Sequence, residues 1–215
     1  MSAMIASNMP IGRARQVNRA ILTATLSFSV AALVGILLLT ATLRTGPGNF
    51  APVIYGLSLL ICSLFSFLYN MYETSPSRAF LRYCDHSAIF LLIAGTYTPF
   101  VIHGVSGPFE IDLLVWVWAL ALLGIVLKIL LRGRHDRLFV GLYVLLGWLF
   151  LFEREPFVTL NPLSSLILLA VGGVAYTIGA IIFARSVGNW TDPIWHGCVL
   201  AGATSHFVAV VLLIN

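Results

Sequence analysis

Three pairs of polar residues stand at the ends of long apolar runs: Ser66 with Asn70, Asp85 with His86, and Asp192 with His196. In the first and third pairs the residues are four apart, so each pair lies one turn apart on a single helix face. A carboxylate and an imidazole at that spacing can share a metal ion. Catalytic zinc takes three ligands from protein and keeps a fourth position for water. Asp192 and His196 are suitable donors, whereas Asn70 offers only a neutral amide oxygen. Asp85 would orient or deprotonate the bound water, and Ser66 would hydrogen-bond a developing oxyanion. The same residues also have a purely structural reading. Asp192 followed by Pro193 makes a good helix start, and Asp85 can cap a helix or pair with Arg82. His206 lies ten positions beyond His196, roughly 15 Å farther along an ideal helix, so it cannot complete the same shell. It reads as a buried, hydrogen-bonded histidine, while His103 and His135 read as solvated loop ends.

The elements that must position these residues are membrane helices. The 215 residues are 60% hydrophobic and 9% charged, with a mean hydropathy of +0.99, which leaves too little polar surface to cover a soluble core. Seven apolar runs approach the about 20 helical residues that cross a bilayer: Ile21 to Leu43, Ala51 to Tyr69, Ser87 to Ile102, Leu113 to Leu131, Leu138 to Phe152, Leu163 to Ala184 and Ile194 to Ile214. The expected fold is all-α, a single seven-transmembrane-helix bundle over residues 21–215 preceded by a cytoplasmic tail over 1–20. The short fifth run leaves a six-span alternative in which it is re-entrant. The first run is longer than a signal h-region and reads as a retained span.

Orientation follows from the basic residues. Arg13, Arg15, Arg19, Arg78, Arg82, Lys128, Arg132, Arg134, Arg137 and Arg185 fall on one side of a seven-crossing chain, and only Arg44 and Arg154 on the other. The positive-inside rule then puts the N-terminus in the cytoplasm and the C-terminus outside. All three polar pairs come to the cytoplasmic end. The net charge of +4 therefore reports topology, and no nucleic-acid partner is expected. Cys62, Cys84 and Cys198 are odd in number, lie in or beside apolar runs and suggest no disulfide framework. Gly172, Gly173, Gly179 and Gly202 are expected to permit close helix packing, and the tryptophans to anchor the membrane interfaces.

The stretch from Asp85 to Phe100, DHSAIFLLIAGTYTPF, and that from Trp195 to Phe207, WHGCVLAGATSHF, closely resemble the bacterial hemolysin III family, which belongs with the progestin and adipoQ receptors. The resemblance covers essentially the whole chain. It implies a seven-helix protein of the bacterial inner membrane with membrane lipids as partners. It also implies a cytoplasm-facing zinc site built on Ser-x-x-x-His, Asp and His-x-x-x-His, and a link to lipid amide hydrolysis. Ser66, Asp85 and His196 match that pattern, but Asn70 and Asp192 replace two of its three histidines. The Glu and His common near the start of the family's first helix are absent from Arg15 to Leu22. Two functions remain open on this reading. One is a metal-dependent hydrolase of lipid amides or esters with an altered site, and the other a non-enzymatic membrane-homeostasis or sensor protein with a vestigial one. A cytolytic pore former fits less well, because a retained bundle has no amphipathic inserting segment.

Overall fold

A computed structural model describes residues 11–42, 50–104, 108–131, 135–151, 161–185 and 188–214. The described chain is all-helical, with seven α-helices: α1 Ile11–Thr42, α2 Phe50–Met71, α3 Arg78–Gly104, α4 Pro108–Leu130, α5 Asp136–Gly147, α6 Leu163–Arg185 and α7 Thr191–Ile214. Two single 3-10 turns, Leu149–Leu151 and Gly188–Trp190, follow α5 and precede α7. All but α5 are long and apolar enough to cross a membrane. The expected bounds Leu43 and Phe152, and the charged residues Arg44, Glu153, Arg154 and Glu155, lie outside the described residues.

Helix α1 starts ten residues before its expected span, because the periodicity extends backward. Ala14, Asn18, Leu22, Thr25, Ser29, Ala32 and Ile36 are all buried and recur at the three- and four-residue intervals of one helix face. Helix α5 is shorter than expected, and its end has a visible cause. The last carbonyls of a helix lack internal partners. Here the Tyr97 hydroxyl lies 3.1 Å from the Leu146 carbonyl and 3.0 Å from that of Gly147. It also accepts the Phe150 N–H at 3.0 Å, which fixes the chain in a turn instead of a further helical residue.

Neighbours in sequence are neighbours in space, and α1 packs against both α2 and α7, which closes the ring. Helix α3 also reaches α5 and α7, so it carries Asp85 into the middle of the assembly. The core centres on Tyr55, Phe90, Phe100, Val117 and Phe139, all almost fully buried. Outward faces are apolar as well: Val30, Val34 and Leu38 on α1, Leu122, Val126 and Ile129 on α4, and Ile167, Val171 and Ile178 on α6 are exposed. Such apolar outer faces are what surrounding hydrocarbon would favour.

The most extensive helix pairing, α6 on α7, depends on glycine as expected. A Cβ on Gly172 would meet the His206 ring and would stand 3.0 Å from the Gly202 carbonyl, and one on Gly179 would stand 2.8 Å from Cys198 Cβ. Gly172→Ala must therefore push a backbone away as well as a ring. Overpacking of this kind costs about 1–3 kcal/mol, and a lowered melting temperature of the purified protein in detergent is the expected result. Two of the tryptophans bind neighbouring helices: Trp118 donates to Thr98 at 3.2 Å and Trp148 to Thr177 at 3.0 Å.

Candidate functional site

The three polar pairs do converge. Ser66 and Asn70 from the end of α2, Asp85 and His86 from α3, and Asp192 and His196 from the start of α7 all line one cavity of about 320 Å³. Pro193 sits in the first turn of α7, where a missing N–H costs nothing. The i, i+4 spacing then sets His196 one turn deeper than Asp192. His196 is buried, whereas Asp192 is exposed with Glu73 as its charged neighbour.

Sequence reasoning missed Asn18. This buried residue of α1 places its Oδ1 2.7 Å from His196 Nδ1. Its amide nitrogen donates to Asn70 Oδ1 at 3.4 Å, and the Asn70 amide nitrogen donates to the Ser66 carbonyl at 2.8 Å. On the other side of the imidazole, Nε2 lies 3.3 Å from Ser66 Oγ. The four residues thus form a closed hydrogen-bond circuit, completed through the Ser66 backbone carbonyl, that links α1, α2 and α7. Asp85 lines the same cavity near the Ser66 hydroxyl, so the serine has a carboxyl as well as an imidazole for a neighbour. The signal for Asn18 was its place on the buried stripe of α1, between Ala14 and Leu22.

A second cluster adjoins the first. Asp136, at the start of α5, accepts Lys128 Nζ from α4 at 2.7 Å and pairs with Arg82 of α3. His86 Nδ1 lies 3.6 Å from the same carboxylate. Arg82 therefore pairs with Asp136 and not, as one reading of the sequence had it, with Asp85. Lys128, expected among the topological cations, is fully buried and lies 4.3 Å above the Phe139 ring. Burial would raise the Asp136 pKa, but the Lys128 hydrogen bond and charge, with His86 and Arg82 beside them, outweigh it and hold the carboxyl below its usual range.

His206 behaves as expected. It is buried, bonded to the Leu169 carbonyl at 3.0 Å and packed edge-on against Tyr176. It lines a different, almost wholly apolar cavity of about 100 Å³ between α3, α5, α6 and α7. That cavity and the polar one share Ile89, Leu92, Tyr143, Tyr176 and Trp195 as walls, so apolar and polar compartments adjoin.

Zinc requires a shell of open donors, typically thiolate, imidazole or carboxylate. Among the described residues no three His, Cys, Asp or Glu side chains converge as such a shell. The one imidazole of the polar pairs on α7 has both ring nitrogens engaged, by Asn18 and Ser66. The Asn70 oxygen is already an acceptor for Asn18. The donor set as arranged does not fit the ion, and no chemical step is assigned to it.

The sequence model of the family described as "Haemolysin-III related" matches residues 20–207. The chain is 35% identical over 182 residues to "Hemolysin-3 homolog" of Bacillus subtilis (strain 168), covering 85% of each protein. It is 33% identical over 186 residues to "Hemolysin-3" of Bacillus cereus, covering 86% of this chain and 85% of that one. A more distant similarity, 26% over 166 residues, links it to "Monocyte to macrophage differentiation factor" of Homo sapiens, over 73% of this chain and 67% of the relative. Ser66, Asn70, Asp85, Asp192 and His196 fall within the matched region and Asn18 just before it.

Proposed function

The chain belongs to the haemolysin-III related family, and from that premise we propose that this multi-pass membrane protein hydrolyses an amide or ester bond of a membrane lipid in the polar cavity. One observation carries the reading: a serine hydroxyl flanked by an imidazole and a carboxylate opens on a polar cavity whose walls continue into an apolar one. A lipid is the substrate class that needs both compartments, its acyl chain against Leu92, Tyr176 and Trp195 and its carbonyl near Ser66. The polar cavity greatly exceeds the about 10–15 Å³ that one water needs, so the water consumed in hydrolysis has room.

The proposal includes topology. Seven crossings, with α5 and the turn after it as a short fifth, put the site at the cytoplasmic face of a bacterial inner membrane. Arg78 and Arg82 line the site's own cavity, and a basic end is the cytoplasmic end. The lipid would then enter from the inner leaflet.

The hydrolase reading predicts fatty-acid release from N-acyl or O-acyl lipids by purified protein in nanodiscs. Asp85→Asn keeps the shape of the side chain and removes its charge, and is expected to slow that release by about 10²-fold. Release at the parental rate would count against a role for the carboxylate. A second reading, a non-enzymatic homeostasis or sensor protein, is favoured by the closure of the Asn18, Asn70, Ser66 and His196 circuit, since a fully satisfied polar network can serve only to specify packing. That reading expects the same variant to lose stability without altering any lipid.

A further inference from the structure

We propose that Ser66 is the nucleophile of this site, activated by His196 without a metal, and that hydrolysis runs through an acyl ester on Ser66 Oγ. The inference rests on the hydrolase reading and deepens it.

The circuit's proton positions follow from one fixed point. The Ser66 backbone carbonyl can only accept, so the Asn70 group 2.8 Å from it is the amide NH₂. The Asn70 oxygen then faces Asn18, whose nitrogen must donate to it. That leaves the Asn18 oxygen toward His196 Nδ1, which must carry its hydrogen. In a neutral imidazole the other nitrogen, Nε2, is then bare, and it is the one facing the Ser66 hydroxyl. A nucleophile, a base and a group orienting the base stand in line, which is the arrangement that activates a serine. The 3.3 Å separation of Ser66 and His196 is the loose end of such geometry, common where no substrate compresses it.

Ser66 Oγ bonds to the lipid carbonyl carbon while its proton passes to His196 Nε2. The Asn18 oxygen, 2.7 Å from Nδ1, favours the imidazolium so formed. Collapse breaks the C–N or C–O bond, and the departing amine or alcohol takes the proton from Nε2. Water then attacks the acyl ester, gives its proton to Nε2, and the fatty acid leaves as Ser66 recovers a proton. Asn70 and Asn18 are positioning residues, since neither meets the reacting carbon. Asn70, the weakest donor for a metal, is thereby the group that sets the tautomer.

The test uses the full chain in nanodiscs and a fluorophosphonate probe, which loses fluoride as it bonds to an activated serine oxygen. The expected result is a single adduct mapped to Ser66 by peptide mass spectrometry, lost in Ser66→Ala and His196→Ala and unaffected by a zinc chelator. Asn18→Leu should slow labelling at least tenfold while Asn18→Asp, which keeps the acceptor, retains most of it, a split that a purely structural asparagine would not produce. Absence of an adduct at Ser66 in the parental protein, or its loss on chelation, overturns the inference. Fatty-acid release from the same samples separates the two levels: release that is chelator-sensitive without labelling sinks the nucleophile and spares the hydrolase, and labelling without release does the reverse.

Discussion

Asp136→Ala is expected to destabilise the protein by about 3–5 kcal/mol, the cost of leaving a buried charge without its partner. The stranded charge is Lys128, which is fully buried on α4 and has its carboxylate 2.7 Å away on α5. Its position over the Phe139 ring offsets only part of the loss, since a cation over an aromatic face contributes about 0.5–2 kcal/mol. Arg82 and His86 lose the same partner, so α3, α4 and α5 loosen together at the end that carries the site. Replacing both charges, as in Lys128→Met with Asp136→Leu, should recover most of the stability, because a well-packed apolar pair often equals or exceeds a buried ion pair. Thermal unfolding in detergent reads both. A single variant that melts with the parent would mean that Lys128 finds water or another anion. The same carboxylate gives stability an acid limb. Its folded pKa lies below the usual range, so its contribution is complete above the ordinary aspartate value and is lost as pH falls through the depressed one. Asp136→Asn should remove that limb.

His196→Ala is expected to reduce lipid hydrolysis by about 10²–10⁴-fold, the range for removing a positioned acid–base group, with a smaller effect on folding. The imidazole joins three helices: Asn18 belongs to α1, Ser66 to α2 and the histidine to α7. Truncation leaves Asn18 Oδ1 without its donor in a buried place, a penalty of about 1–3 kcal/mol. The kinetic loss is therefore read at a temperature well below the variant's own melting point. Loss of turnover at intact fold separates catalysis from packing, which stability alone does not.

Much of this arrangement was legible in the sequence. The apolar runs gave the helices, and the i, i+4 pairs at their ends gave the convergence of Ser66, Asn70, Asp85, Asp192 and His196 on one cavity. The close approach of α6 and α7 followed from Gly172 and Gly179. What was not legible depended on contacts between distant elements. Lys128 looked like one more basic residue at a helix end, because its carboxylate partner begins the next helix and nothing local distinguishes a buried lysine from an interfacial one. Asn18 lay in a stretch read for the Glu and His it lacks, although its own amide answers the imidazole. Helix α5 stopped early because Tyr97, from another helix, binds its last carbonyls. Donor roles around His196 became readable only once the acceptor-only carbonyl of Ser66 anchored the circuit.

The most direct measurement of the central claim is fatty-acid release by the purified protein in nanodiscs that carry both N-acyl and O-acyl lipids, the parental chain beside His196→Ala at matched folding. The parental protein should release fatty acid and the variant at least about 10²-fold less. Equal release by the two, or none from the parental protein on either lipid class, would contradict the account.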